Sequence, residues 1–580
     1  MSVASSLSSL FERRSQFIIV GLTGRTGSGC TSAAKVLASD FTKLPLDAVA
    51  YPLSTPEARK FRIIHEFAQK TWEPFLPISV TLVIVTFMLE ADPAYLERYL
   101  KQHVKDRDFA KLMAEIARVS KLWKAVSNVV KDGQKRDAGE VEALLLFWRS
   151  ELLNLHAVLK LNLDGSYSSV FQTFGDNLRS SGDISSSAFD ATAFFTLPMR
   201  CSEIIVAVRE LQISKGKSAR IVLDALRNPF EIEYFRQRFA TFYLLGITTP
   251  DEHRKTRLTL RSNLSNAEIK KLDAKEYPAE NKPLAGQSQF VSQNIQACIE
   301  KADIFVSNPG PAVEGAVADM KGLARQLMSF VVLMQHPGLV TPSKIERCMQ
   351  IAYSAKVNSG CISRQVGAAI SDGNYSIKAV GWNDVPAGQV PCLLRRATDL
   401  IDSKDEEAFS DYELKDERFQ KHMQTRFRQF DVARAGGRSS AYCFKSEYNT
   451  LEFPKMRGNQ VHTRSLHAEE NAFLQISKYG GAGIEGGILF STASPCELCS
   501  KKAFQLGVKK IFYIDPYPGI SMSHILGAGP KEKRPVVELF SGAVGQAFHR
   551  LYDPILPFKD EIEVFLHPDL PPAEDGKQSD

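Results

Sequence analysis

His467-Ala468-Glu469, followed 26 positions after the glutamate by Pro495-Cys496-Glu497-Leu498-Cys499, sets the reading of the whole chain. One imidazole and two thiolates make a three-ligand set that suits a tetrahedral zinc ion and leaves a fourth position for water, as catalytic rather than structural sites do. A metal so held lowers the pKa of its water to about 7. Glu469, two residues past His467, stands beside the open position as a proton carrier rather than a ligand. Pro495 suits the first turn of a helix, where a missing N–H costs nothing, so Cys496 and Cys499 are expected on one helical face at i and i+3. Two helix N-termini then favour the thiolate form. Taken alone, a Cys-x-x-Cys pair reads as a redox pair or a chance spacing, and a single histidine as an ordinary surface or core residue. The full set, placed between apolar runs, points to a metal centre.

On these residues, Leu466 to Ser500 resembles the core of the cytidine and deoxycytidylate deaminase superfamily. The resemblance implies a Zn2+ cofactor on His467, Cys496 and Cys499, with Glu469 shuttling protons while water replaces the amine at C4 of cytosine. It also implies a cytidine-deaminase-like α/β/α sandwich. Residues 345–357 have helical periodicity, and 365–371 and 376–381 read as a hairpin around Asp372-Gly373-Asn374. Asn383 follows that hairpin where deoxycytidylate deaminases hold the sugar and phosphate of the substrate, whereas from its own chemistry it reads as a turn cap. Residues 510–514 read as another strand. In the Pro516-Tyr517-Pro518 bend, Tyr517 either stacks on the base or serves as a structural aromatic. Residues 395–454 are an insertion, read as a solvated acidic helix (402–417) and a mobile Gly/Ser loop (434–440). Cys392 and Cys443 beside it are candidates for a second metal site.

The N-terminal half has its own motif. Residues 17–22 read as a buried strand that feeds Gly24-Arg25-Thr26-Gly27-Ser28-Gly29-Cys30-Thr31-Ser32, with helix expected over 33–37. Strand, glycine loop and helix N-terminus make a phosphate cradle. The pattern is a Walker A loop with Cys30 where lysine belongs, which weakens phosphoryl transfer more than binding. Further strands over 221–226, ending near Asp224, and over 239–247, then a charged stretch at 251–261 and the run 290–299 leading into 302–308, resemble P-loop nucleotide kinases. That resemblance implies a doubly wound parallel sheet and a nucleotide with Mg2+ held by Gly24, Gly27, Ser28, Gly29, Cys30, Thr31 and Asp224. Arg25, or an arginine within 254–261, is the candidate substitute for the lost lysine. An unrelated α/β domain is the alternative. Residues 92–161 read as a helical insertion whose alternating charges mark a solvated face, with its apolar stripe as a homo-oligomer interface the alternative, and 313–334 as an amphipathic helix closed by Pro337-Gly338.

At 580 residues the chain exceeds one core, and 44% hydrophobic with 24% charged residues is ordinary for a globular protein. A net charge of +6 argues against a dedicated nucleic-acid binder. Nine scattered cysteines suit a reducing cytoplasm. The N-terminus runs into the glycine loop without a cleavage site, so no signal peptide is expected. The apolar run 78–89, read as a strand or helix, falls short of the roughly 20 residues that cross a bilayer, so no membrane partner is expected. The expected domains are a P-loop kinase-like regulatory domain (1–340), a zinc deaminase domain (341–566) and a disordered tail (567–580). This pairing resembles the bacterial anti-phage deoxycytidine-nucleotide deaminases. It implies conversion of free dCTP and dCMP to dUTP and dUMP, draining the pool that phage replication needs, under a nucleotide effector or small regulatory RNA. Two other classes stay open: an RNA or single-stranded DNA deaminase, which needs a basic, aromatic groove, and a bifunctional nucleotide kinase-deaminase.

Overall fold

Phe17–Thr23 (β1) is apolar and β-branched, and all seven residues are buried, as suits a strand covered on both faces. The computed structural model describes residues 3–49, 51–104, 106–131, 136–262, 264–276, 286–309, 320–453, 462–480, 483–515 and 521–566. The chain forms two compact units, one of residues 1–341 together with 546 onward, the other Pro342–Gly545.

In the first unit, β1 lies between two parallel neighbours, β3 (Ala219–Asp224) and β4 (Phe242–Thr248). Strand β2 (Leu76–Ser79) extends the sheet beyond β3 and β5 (Ile304–Ser307) beyond β4, both also parallel, in the order β5-β4-β1-β3-β2. The chain fills one side of β1 first and the other later, so the C-terminal end of β1 is a topological switch point, where open α/β sheets bind ligands. The glycine loop leaves β1 there. Gly27 (φ 89°) and Gly29 (φ 105°) take left-handed conformations that a side chain would strain.

Several sequence expectations shift. The apolar run 78–89 divides, with β2 ending at Ser79 and Val80–Glu90 forming a helix. The helical insertion does not stop near 161: Tyr167–Ser181 and Thr196–Ser214 continue it up to β3. Turn-forming residues at 164–166 and 182–187 hide this, although Val170, Phe174 and Leu178 are buried at i, i+4 and i+8. The helix expected over 313–334 is seen as Lys321–Gln335, and residues 310–319 lie outside the described set. Gln546 onward packs with the first unit instead of closing the second. Arg550 donates to the carbonyls of Phe242 (3.0 Å) and Ala240 (2.7 Å), and His336 Nε2 lies 2.8 Å from Glu561 Oε1. The tail from 567 falls outside the described residues.

The second unit is built on the order β10-β9-β8-β6-β7. Strands β6 (Gly367–Ser371) and β7 (Ile377–Trp382) form the antiparallel hairpin, and β8 (Ile488–Ala493) runs antiparallel to β6. Strands β9 (Lys510–Asp515) and β10 (Val536–Leu539) then add in parallel. Two glycines let helices lie directly on this sheet. A Cβ on Gly367 would sit 2.0 Å from the Ala352 carbonyl oxygen of helix Lys344–Ala355, and one on Gly381 would sit 2.3 Å from that of Ala468.

The insertion is a folded helical element with a core of its own, although most of 402–417 and 434–439 is exposed. Leu400, Phe409, Phe419, Met423 and Tyr442 form a separate core among its short helices. Arg395 and Glu413, both fully buried, form an ion pair there, and the Tyr442 hydroxyl donates to Glu413 at 2.6 Å. Ser440, within the supposed mobile loop, is buried and accepts from the Thr398 N–H. Removing one member of a buried pair strands the other, at a cost of about 3–5 kcal/mol. Glu413→Ala is therefore expected to speed amide exchange across Glu417–Phe427, followed by mass spectrometry. Wild-type protection in that helix would show that the pair does not hold the element together.

Candidate active site

His467 is the N-cap residue of helix Ala468–Tyr479 and Cys496 that of helix Glu497–Gln505, with Cys499 in the latter's first turn. Pro495 thus precedes the cap and is not part of the helix. Its carbonyl instead accepts from the hydroxyls of Ser500 (3.3 Å) and Ser521 (2.9 Å). The two helices are tied by an ion pair between Glu470 and Lys502. Ahead of His467, the Leu466 N–H donates to the Asp384 carbonyl at 2.8 Å, and Asn471 donates to that of Trp382 at 3.0 Å. Both bonds pin the start of the helix to the chain leaving β7.

These placements bring His467 Nδ1 to 3.3 Å from Cys496 Sγ and 3.4 Å from Cys499 Sγ, with all three ligand atoms within 4.8 Å of one another. A tetrahedral zinc with bonds of about 2.0 Å to nitrogen and 2.3 Å to sulfur keeps those atoms about 3.5 Å apart, so the donor set fits the ion. A hydrogen bond from Cys499, with a further one to His467, pulls the Cys496 thiol down to about 4. That places negative charge where a cation would sit. Among the described residues, this is the one group of three or more His, Cys, Asp or Glu that could hold a metal. Cys392 and Cys443 belong to no such group among the described residues.

Glu469 is 4% exposed, and burial raises its carboxyl above the usual range. The Ser491 hydroxyl of β8 donates to its Oε1 at 2.9 Å. Sequence reasoning missed Ser491. The available signal is a polar pair, Ser491-Thr492, inside the apolar run of β8. Asn383 is buried, and both ends of its amide are engaged: Oδ1 accepts from the Val366 N–H (2.6 Å), while Nδ2 donates to the Arg364 carbonyl (2.7 Å). These bonds make Asn383 a backbone brace, and they leave a second lone pair on Oδ1 and a second hydrogen on Nδ2. Arg364 in turn pairs with Asp515 at the end of β9. Tyr517 lies outside the described residues.

At the glycine loop the structure joins residues far apart in sequence. Thr31 Oγ1 donates to Asp224 Oδ2 at 3.0 Å, and Asn308 Nδ2 donates to the Ser28 carbonyl at 2.8 Å. A cleft of about 260 Å³ is lined by Gly24, Gly27, Gly29, Cys30, Thr31 and Arg227 among others. Burial first, and then Asp224, push the Cys30 thiol up to about 12, so it stays neutral. Of the candidate substitutes for lysine, Arg25 and Arg254 both pair with Asp251 and Asp273.

A buried carboxyl beside a convergent imidazole and two sulfurs, carried on helix N-termini over an α/β sheet, is the layout of a metal-assisted hydrolase. Residues 342–515 match the family model of the cytidine and deoxycytidylate deaminase zinc-binding region, a span that includes His467, Glu469, Cys496 and Cys499. The deoxycytidylate deaminase of Enterobacteria phage T4 is 29% identical over 174 residues, covering 30% of this chain and 79% of that protein. The deoxycytidylate deaminase of Enterobacteria phage T2 is 28% identical over 176 residues, covering 30% and 81%. Among solved structures, the dCMP deaminase of cyanophage S-TIM5 in complex with dCMP and dUMP is 24% identical, covering 35% of this chain and 99% of that one, with a TM-score of 0.21. No helix among the described residues is long and apolar enough to cross a membrane.

Proposed function

We propose that this protein is a zinc-dependent hydrolase that deaminates free deoxycytidine nucleotides, dCTP and dCMP, to dUTP and dUMP. The observation that carries the reading is the convergence of His467 Nδ1, Cys496 Sγ and Cys499 Sγ within 4.8 Å, with buried Glu469 two residues from the histidine. His467, Cys496 and Cys499 would hold the ion, which when bound supplies a water activated near neutral pH. Glu469 would carry one proton of the attacking water to N3 of the base, and then the second, from the hydroxyl left on C4, to the amine, which departs as ammonia. Its raised pKa suits the proton-holding half of that cycle, and Ser491 fixes the carboxyl while the proton moves. Asn383, whose amide also braces the Arg364–Val366 backbone, is our assignment for the contact to the sugar and phosphate of the substrate.

The substrate class is drawn from the two phage relatives, each named a deoxycytidylate deaminase. In a cytoplasmic homo-oligomer this reaction would deplete dCTP as an anti-phage defence. The first unit would act as a regulatory nucleotide sensor, with the effector a nucleotide or a small RNA. Thr31 and Asp224 would face Mg2+, while neutral Cys30 supplies none of the fixed positive charge that phosphoryl transfer needs. Incubation of the full chain with dCMP, dCTP, CMP, CTP and cytosine-containing oligonucleotides is expected to yield uracil products from the free deoxynucleotides. Preferential turnover of cytosine within RNA or single-stranded DNA would replace this reading with nucleic-acid editing.

A further inference from the structure

The glycine loop already holds an anion, and it comes from the protein. The Thr26 N–H lies 3.1 and 3.2 Å from the two carboxylate oxygens of Glu276, and the Thr26 hydroxyl bonds to the same group. Arg227 Nη1 approaches Glu276 Oε1 at 2.9 Å. Glu276 is the last residue of helix Asn266–Glu276 and is fully buried. A carboxylate withdrawn from water is tolerated only where donors replace its hydration, and here a backbone N–H, a hydroxyl and a guanidinium do so. Those donors are the kind that a glycine loop and its arginines offer to a phosphate oxygen.

The neighbouring charges follow the same plan. Arg25 lies 2.9 Å from Asp251 and 2.8 Å from Asp273, and Arg254 lies 2.8 Å from both. Arg257 reaches the carbonyls of Gly27 and Ser28, each at 3.3 Å. Four arginines therefore surround one short loop, and three of the carboxylates that face them, Asp251, Asp273 and Glu276, come from 251–276. One carboxylate carries a single negative charge, whereas a polyphosphate offers several and can engage more of these guanidinium groups at once.

We propose that Glu276 occupies the phosphate seat of the 24–29 loop, and that a polyphosphate ligand such as a nucleoside triphosphate binds by displacing it and freeing helix Asn266–Glu276. The inference rests on reading the loop as a phosphate site, and it adds that the site is gated by the chain's own acid. The affinity of such a site is its intrinsic affinity reduced by the small fraction of molecules in which the seat is empty. Binding becomes a local rearrangement of the helix, a response of the kind a sensor uses.

The test is calorimetry of inorganic tripolyphosphate with Mg2+ on the full chain, as wild type, Glu276→Gln and Arg227→Ala, together with amide exchange over 266–276 with and without ligand. Loss of a charged competitor is expected to tighten binding to Glu276→Gln by about tenfold or more. Arg227→Ala is expected to weaken binding, and saturating ligand to speed exchange in the wild-type helix. Equal affinity in wild type and Glu276→Gln, or unchanged exchange in the saturated wild type, overturns the displacement and leaves the loop standing as a phosphate site. The exchange measurement on the wild type decides the matter even where the variant fails to fold. Failure of tripolyphosphate to bind either wild type or Glu276→Gln overturns the loop reading and this inference with it. Binding indifferent to Arg227→Ala puts the ligand elsewhere and does the same.

Discussion

Glu469→Gln is expected to cut dCMP deamination by about 10²- to 10⁴-fold, the usual contribution of a positioned general acid/base, while bound zinc stays at the wild-type level. The amide keeps the size of the side chain and can still accept the 2.9 Å bond from Ser491, so neither packing nor the His467, Cys496 and Cys499 cluster is disturbed. What it cannot do is take a proton from water and return it. The variant therefore separates proton transfer from metal binding, which deletion of the side chain would not. Activity within a few-fold of wild type would remove Glu469 from the chemistry, and parallel loss of zinc would make it a structural support.

Cys496→Ala is expected to remove the metal and bring deamination down to background. Three donors leave no spare: a histidine and one thiolate remain, and ordinary catalytic zinc sites need three protein ligands. Metal analysis after dialysis reads the loss directly. The effect should stay local, because helix Glu497–Gln505 is also held by the Glu470–Lys502 ion pair and by the Ser500 bond to Pro495. A circular dichroism spectrum like that of wild type, with no zinc, is the expected pairing. Wild-type zinc content in this variant would move the site elsewhere.

Much of this site was legible because ligand chemistry is carried by residue identity. Imidazole, thiolate and carboxylate at His467, Cys496, Cys499 and Glu469 name a reaction type before any fold is known. Strands β1 and β3 were legible for a different reason: an unbroken apolar, β-branched run has few places to go but a buried sheet. Residues that matter only through a partner far along the chain left no such trace. Ser491 looks like any strand serine until Glu469 is placed against it, and Glu413 looks solvated until Arg395 lies beside it in the core. Glu276 is the extreme case, since 250 residues separate it from the Thr26 N–H it meets. Asn383 carries two readings at once: the resemblance implies a contact to the substrate's sugar and phosphate, and its amide also braces backbone on both sides.

Because Gln546 onward packs with residues 1–341, and the Gly338 N–H bonds the Leu551 carbonyl at 2.9 Å, the second unit is a guest spliced into a host whose two ends are stitched together. Synthesis is vectorial, so the host cannot receive Arg550 or Glu561 until all of Pro342–Gly545 has left the ribosome. At about 5–20 residues per second, that is a wait on the order of ten to forty seconds. Throughout it the carbonyls of Ala240 and Phe242 lack their guanidinium, and His336 lacks its carboxylate. The nascent host is thus most open to chaperones and proteases while the guest is being made. A fragment cut at Thr341 would keep that unfinished state permanently.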